Sequence, residues 1–245
     1  MQGFEQNSIA NEFQGNDQWL MDRLGKLTAS RVVDILPGDK GNYLKSREDM
    51  FSELIAERIS GQPMPNIDTP AMKWGRLQEP LARKRYKLWL DAVSGKMNSI
   101  DVCGVVDHPT IRGFACSPDV LVNEDGLGEI KCLHTKNHLD TILNGEIKKD
   151  YIWQMVAQLS CTQRKRNDYI SYDPRLGEYV DIWVVKHEDW YKNGMIETVE
   201  AEAKKFLEEL EVRIKAILER PIFGPMYKQY LEKWGPEGSV WKTNH

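Results

Sequence analysis

The chain has 245 residues, 41% of them hydrophobic, four cysteines and a formal net charge of −4; this is enough for one buried core, with no run of about 18 apolar residues that would cross a membrane. Cys103, Cys116, Cys132 and Cys161 show no Cys-x-x-Cys spacing, which argues against an iron–sulphur cluster and reads as free thiols in a reducing cytoplasm. The negative average speaks against a uniformly basic nucleic-acid coat, yet Met72 to Lys87 carries +5 and Gly145 to Arg166 carries +3, which leaves −12 elsewhere and concentrates positive charge in two places.

Order is expected to begin at Trp19, after a polar segment (1–18) without the basic-then-apolar organisation of an export signal. Thr28 and Ser30 are placed to cap a helix through Val32, Val33 and Ile35, whose free amides together with Arg23 would make an anion site. Pro37 to Asn42 reads as a mobile loop. A helix from Ser46, with Asp49 in a capping-box position, carries Phe51, Leu54, Ile55 and Ile59 on one face and ends at Gly61. Thr69-Pro70 opens the next helix. There Trp74, Leu77, Leu81 and Leu88 form an apolar stripe that turns Glu79 and the basic residues to other faces; the plainest reading of Glu79 is a surface pair with Arg76 or Arg83.

Ile100 to Val106 reads as a strand. His134 and His138 are spaced like a metal pair but lack a third ligand. Tyr151 to Ser160 is an amphipathic helix with Gln154 and Gln158 one turn apart, where glutamines are ordinarily solvated. Tyr169 to Asp173 and Tyr179 to Val185 read as strands joined by the turn Pro174 to Gly177. A charged helix from about Glu188 to Glu219 is expected to cover one sheet face.

Between Cys116 and Cys132 the chain turns back on itself. Ala115 to Val122 alternates towards Val120 and Val122, Asn123-Glu124-Asp125-Gly126 makes a turn, and Leu127 to Leu133 supplies a second strand. Alternation points Glu129 and Lys131 one way and Ile130 into the core, with Asp119 opposite. Carboxylates crowded together repel, and a divalent cation is the usual means of holding both ionised. A turn cap at Asp119 and a surface ion pair of Glu129 with Lys131 would use the same residues.

Pro118-Asp119, then Glu129-Ile130-Lys131 ten residues on, is the signature of the PD-(D/E)XK nucleases. With it, in one order, stand Trp19, Arg23-Leu24-Gly25 and Thr28-Ala29-Ser30, then Trp74-Gly75 and Glu79, then Ala115 to Asp119 and Glu129 to Cys132. Tyr151 with Gln154 and Tyr172-Asp173-Pro174-Arg175 complete the set. On these residues the chain resembles the phage lambda exonuclease, or YqaJ-type viral recombinase, family over roughly Trp19 to Glu219. The resemblance implies an α/β (α+β) fold with a restriction-endonuclease-like core, a central mixed sheet flanked by helices. It implies one domain over 19–219, preceded by the polar segment and followed by a tail, 220–245, holding Trp234 and Trp241 and no assigned role.

By the same resemblance the activity is that of a magnesium-dependent 5′-to-3′ exonuclease, with manganese a substitute, acting on linear duplex DNA ends and leaving 3′ overhangs. A restriction-type endonuclease and a catalytically silent DNA-end-binding protein are the alternatives on this fold. Asp119, Glu129 and the Ile130 carbonyl are then metal ligands, with Glu79 reaching a second ion or its waters. Lys131 would orient and help deprotonate the attacking water, its pKa lowered by the bound metal and the basic pocket. Arg23, Ser30, Ser117 and Gln154 match a pocket for the terminal 5′-phosphate, Tyr151 stands with them at the DNA, and Met72 takes the place of a strand-parting wedge. The family's arginine-bearing loop is represented by Pro37 to Asn42 with only Lys40. A homo-oligomeric ring, a trimer, and a single-strand annealing protein as partner are also implied.

Overall fold

The computed structural model describes residues 16–65 and 68–242, with side chains through residue 240. In chain order the elements are α1 (Asp17–Arg23), β1 (Leu27–Thr28), α2 (Val32–Ile35), α3 (Lys45–Ser60), α4 (Pro70–Ser94), β2 (Ile100–Asp101), β3 (Val106–Asp107), β4 (Phe114–Cys116) and β5 (Val120–Val122). They continue with β6 (Gly126–Cys132), α5 (Thr135–Asn144), α6 (Lys149–Thr162), β7 (Arg166–Tyr172), β8 (Ile182–Val185), α7 (His187–Trp190), α8 (Met195–Leu218) and α9 (Gly224–Trp234).

β5 and β6 form the expected hairpin, with Val120 opposite Gly128 and Val122 opposite Gly126, and Asn123 supplies the left-handed turn conformation at φ 51°. Its first arm is shorter than the alternation promised. Ser117-Pro118-Asp119 leaves the ladder, since proline has no N–H to give it, and Phe114 to Cys116 pairs instead in a second sheet, β1-β4-β3. The stretch from Ile100 to Val106 is likewise not one strand: β2 joins the larger sheet and β3 the smaller. The larger sheet runs β2-β5-β6-β7-β8 and is mixed, because β6 and β7 are parallel. Parallel neighbours need a crossover, and α5 and α6 provide it.

Alternation along β6 assigns the two faces. Ile130 joins Ala82, Tyr86 and Leu90 of α4 and Val120, Val122 and Ile170 in one apolar cluster, while Leu127 joins the cluster built on α6, α3 and α8. Gly128 permits the close approach of α4: a Cβ there would lie 2.7 Å from both Ile170 Cδ1 and Val120 Cγ2, with Tyr86 Cε1 at 3.5 Å. Each fully buried large side chain in these clusters contributes roughly 1.5–3 kcal/mol.

α4 begins as expected, with Pro70 in its first turn and the Thr69 hydroxyl accepting from the Met72 amide at 3.2 Å. Its buried line, however, is Gln78, Ala82, Tyr86 and Leu90. Leu77 (70% exposed), Leu81 (49%) and Leu88 (64%) face solvent: where the sheet comes closest, Ala82 fits and leucine does not. The helix expected from Ser46 starts at Lys45, and its N-cap, Leu44, makes no side-chain bond, so no Ser46–Asp49 capping box forms. Thr28 and Ser30 cap nothing either; the helix after them has four residues.

The segment from Glu188 to Glu219 is broken before Gly194. Its long half, α8, buries Val199, Ala203, Phe206, Leu210 and Ile214 against α2, α3 and α6 rather than against a sheet. Residues 220–234 pack onto the same core through Tyr230 and Trp234. Trp234 rests on Gly25, where φ is +67° and a Cβ would meet Trp234 Cη2 at 2.6 Å and Arg58 Cγ at 2.8 Å. The Trp241 side chain and residues 1–15 lie outside the described part.

Candidate active site

A cleft of about 710 Å³ opens between α1, α4, the β5–β6 hairpin and α6. All eleven site residues read from the sequence line it: Arg23, Ser30, Met72, Glu79, Ser117, Asp119, Glu129, Ile130, Lys131, Tyr151 and Gln154. The strand that carries Ile130 into the core turns Glu129 and Lys131 towards α6. There Gln154 Nε2 donates to Glu129 Oε1 at 2.7 Å and Gln158 Nε2 donates to Glu129 Oε2 at 2.5 Å. Lys131 Nζ lies 2.6 Å from Glu129 Oε1, donates to Gln154 Oε1 at 3.2 Å and sits 4.7 Å over the Tyr151 ring. Asp119, at the end of the arm that Pro118 releases, accepts the Ile130 amide at 2.7 Å. The two glutamines expected to be solvated are therefore the holders of Glu129.

Charge is crowded here. Burial, with the negative charges of Glu129 and Glu79, pushes the Asp119 carboxyl well above the usual range. Burial also raises Glu79, although its ion pair with Arg83 pulls the other way. Lys131 answers to the carboxylates around it. Burial alone would lower its pKa, but Glu129 and Asp119 outweigh burial and raise it above that of an ordinary lysine, so without a cation nearby it is an ammonium ion.

Among the described residues no three His, Cys, Asp or Glu side chains stand as a ready-made metal centre: Glu79 is turned to Arg83, and Glu129 to its glutamines and Lys131. The donor chemistry nevertheless fits a hard divalent cation. Three carboxylates and a backbone carbonyl are oxygen ligands, and the repulsion that raises Asp119 is what such an ion would relieve.

At the other end of the cleft, Arg23 donates to Ser117 Oγ at 3.3 Å, Thr28 Oγ1 at 3.1 Å and Ser30 Oγ at 3.2 Å, and lies 4.2 Å over the Trp19 ring. Trp19 Nε1 also donates to Ser117 Oγ, at 3.2 Å. Among the described residues no carboxylate pairs with Arg23, and burial pushes its pKa down to about 10. A guanidinium among neutral hydroxyls has the hydrogen-bonding chemistry to receive an anion.

The basic stretches are largely spent internally. Arg76 pairs with Asp68, Arg83 with Glu79, Arg85 with Asp181 and Lys87 with Asp91. His138 is committed as well, its Nδ1 to Ser171 and its Nε2 to the Val180 carbonyl, so it makes no metal pair with His134. His108, Ser160 and Glu200 form a triad-like cluster, but His108 Nδ1 accepts two backbone amides, from Thr110 and Ile111. Its proton is therefore on Nε2, where it cannot act as a base towards Ser160.

Residues 18–165 match the YqaJ-like viral recombinase domain. The chain belongs to that family. An alkaline exonuclease from Laribacter hongkongensis, LHK-Exo, is 38% identical, with a TM-score of 0.72 over 82% of this chain and 96% of its own. Its complex with dAMP gives 37% identity and a TM-score of 0.74, over 84% of this chain and 98% of its own. A phage-related exonuclease from Haemophilus somnus 129PT, 15% identical with a TM-score of 0.56 over 77% of this chain and 96% of its own, shares the fold. No curated protein sequence matches. The YqaJ-like chain thus has the expected mixed α+β, PD-(D/E)XK-like core.

Sequence reasoning missed the part of Gln158, Thr28 as a partner of Arg23 and Trp19 as its stacking surface, whereas Arg83 is one of the two partners it offered Glu79. The signal for Gln158 lay in its neighbours. Met155, Val156, Ala157, Leu159, Ser160 and Cys161 are all buried, and a helix apolar nearly all round is a buried helix whose glutamines need partners.

Proposed function

We propose that this chain is a magnesium-dependent exodeoxyribonuclease that hydrolyses the 5′-ended strand of linear duplex DNA and leaves 3′ single-stranded overhangs for recombination. The observation that carries the reading is the union, in one cleft, of an arginine ringed by hydroxyls and unpaired with any carboxylate among the described residues, and a carboxylate–lysine cluster. The first suits a terminal phosphate, the second phosphodiester hydrolysis. The kinship with the alkaline exonuclease LHK-Exo, whose structure is also known in complex with dAMP, supports it.

Asp119, Glu129 and the Ile130 carbonyl would hold Mg²⁺, or Mn²⁺ in its place, with Glu79 serving a second ion or its waters once released from Arg83. Bound there, the ion would polarise the scissile phosphate and lower the pKa of a water. Lys131, held by Glu129 and Gln154, orients that water; the carboxylate charge that keeps it protonated is the charge a cation offsets, which frees it to take a proton. Arg23, Ser30, Ser117 and Gln154 receive the 5′-phosphate. Tyr151 supports the Lys131 ammonium, and Met72, 40% exposed at the start of α4, parts the strands. The catalytic unit is the domain 19–219, and an annealing protein takes the product strand.

Linear, nicked and closed circular DNA incubated with Mg²⁺ test the proposal: only molecules with ends are degraded. Internal cutting of closed circles would make the protein an endonuclease, and no cutting of any form would make it a silent end-binding protein.

A further inference from the structure

Both Glu129 oxygens are held, but not alike. Oε1 receives Gln154 and Lys131, which the proposed chemistry employs, whereas Oε2 receives, among the described residues, Gln158 Nε2 alone, at 2.5 Å. Gln158 is completely buried, and its Oε1 accepts from Asn167 Nδ2 at 2.8 Å; Asn167, completely buried in turn, also donates to the Met155 carbonyl at 3.3 Å. The amides thus form a directed chain from β7 through α6 to β6. A carboxylate only accepts, so Gln158 must present its NH₂ to Glu129 and its oxygen to Asn167, and Asn167 must present its own NH₂. Asn167 Oδ1 is left buried without a partner among the described residues. Leucine has the same number and branching of side-chain heavy atoms and no oxygen to leave unpaired, so packing alone does not account for an asparagine here.

We propose that Gln158, backed by Asn167, is a positioning residue that fixes the Glu129 carboxylate for cation binding. Gln158 touches neither substrate nor ion and acts only through Glu129. This rests on the metal-dependent reading above.

The test is Mn²⁺ binding without DNA, read from the free-ion electron paramagnetic resonance signal, for the wild type, Gln158→Met, Asn167→Leu and the double variant, alongside their thermal midpoints. Outer-shell partners of metal ligands typically account for about 10–100-fold in affinity, so Gln158→Met is expected to weaken Mn²⁺ binding about tenfold while remaining folded. Asn167→Leu should weaken it less, and the double variant no more than Gln158→Met alone, because Asn167 acts through Gln158; independent structural damage would instead add. If Gln158→Met does not fold, weaker Mn²⁺ binding by folded Asn167→Leu carries the proposal. Binding as tight as wild type in the folded variants overturns it and leaves the metal reading intact, whereas a wild type that binds no Mn²⁺ overturns both.

Discussion

Asp119 is under the greatest electrostatic stress in the cleft, desolvated and repelled by Glu129 and Glu79. Asp119→Asn keeps an oxygen for the Ile130 amide and removes a charge. The variant is expected to lose cleavage yet to unfold, in the presence of a chelator, a few degrees above wild type, since about 1 kcal/mol shifts a chain of this size by ~2–4 °C. A midpoint below wild type in calorimetry would contradict the stress. Arg23→Ala removes the charge of the hydroxyl-lined pocket, so the wild type should degrade 5′-phosphorylated duplexes faster than 5′-hydroxyl ones by about tenfold or more, one charge-assisted hydrogen bond being worth ~1.5–3 kcal/mol. The variant should show little difference between the two ends, and initial rates on paired substrates decide it. At this scale the sequence was informative: the family resemblance named eleven residues that line one cleft. It did not reveal the part of Gln158, which depends on the neighbour it faces, and it offered two partners for Glu79, of which the fold selects Arg83.

Among the elements, α4 shows where pattern reading stops. Its caps were legible because they are local: threonine accepts an amide three residues on, and proline is harmless in a first turn. Its buried face was not, because hydrophobicity does not report that Gly128 draws the sheet close at Ala82 and Tyr86 and leaves the leucines outside. Two stability measurements follow. Thr69→Ala should cost about 1 kcal/mol as a lost N-cap, read from urea midpoints, and no change would mean that the α4 terminus carries no stability. Gly128→Ala should cost ~1–3 kcal/mol by overpacking and, by pushing away the helix that bears Glu79, should reduce cleavage more than the stability loss explains. The division of the hairpin arm between two sheets was foreshadowed by Pro118, but its partner, β3, sits in a stretch that sequence alone ran into one strand.

At the scale of the whole molecule, acid should act in two stages. Burial lowers the pKa of His108 and His187, so the unfolded chain binds those protons first; their contribution is complete above about 6.5 and is lost as pH falls through that value. Asp39, Glu48, Asp91, Asp173 and Glu209 have lowered pKa values, and their stabilisation, present above the unfolded carboxylate range, is lost below it. Asp119 and Glu79, raised in the folded chain, act the other way and stabilise it as pH falls, so the histidine stage is read in the double variant Asp119→Asn, Glu79→Gln: its urea midpoints at pH 8, 6 and 5 should decline before the remaining carboxylates titrate, and a flat profile there would contradict the lowered histidines. The homotrimeric ring that the family resemblance implies would show in light scattering at micromolar concentration as three times the chain mass, and a monomer mass would exclude it; Leu77, Leu81 and Leu88, exposed on α4, are free to join such an interface. The central claim is directional hydrolysis from a 5′ end. It is tested most directly on a linear, 5′-phosphorylated duplex labelled at the 5′ end of one strand or, separately, at its 3′ end, digested with Mg²⁺ and sampled over time. The account predicts that the 5′ label appears at once in mononucleotides while the 3′ label stays in long single strands; early release of the 3′ label, or internal fragments carrying either label, would contradict it.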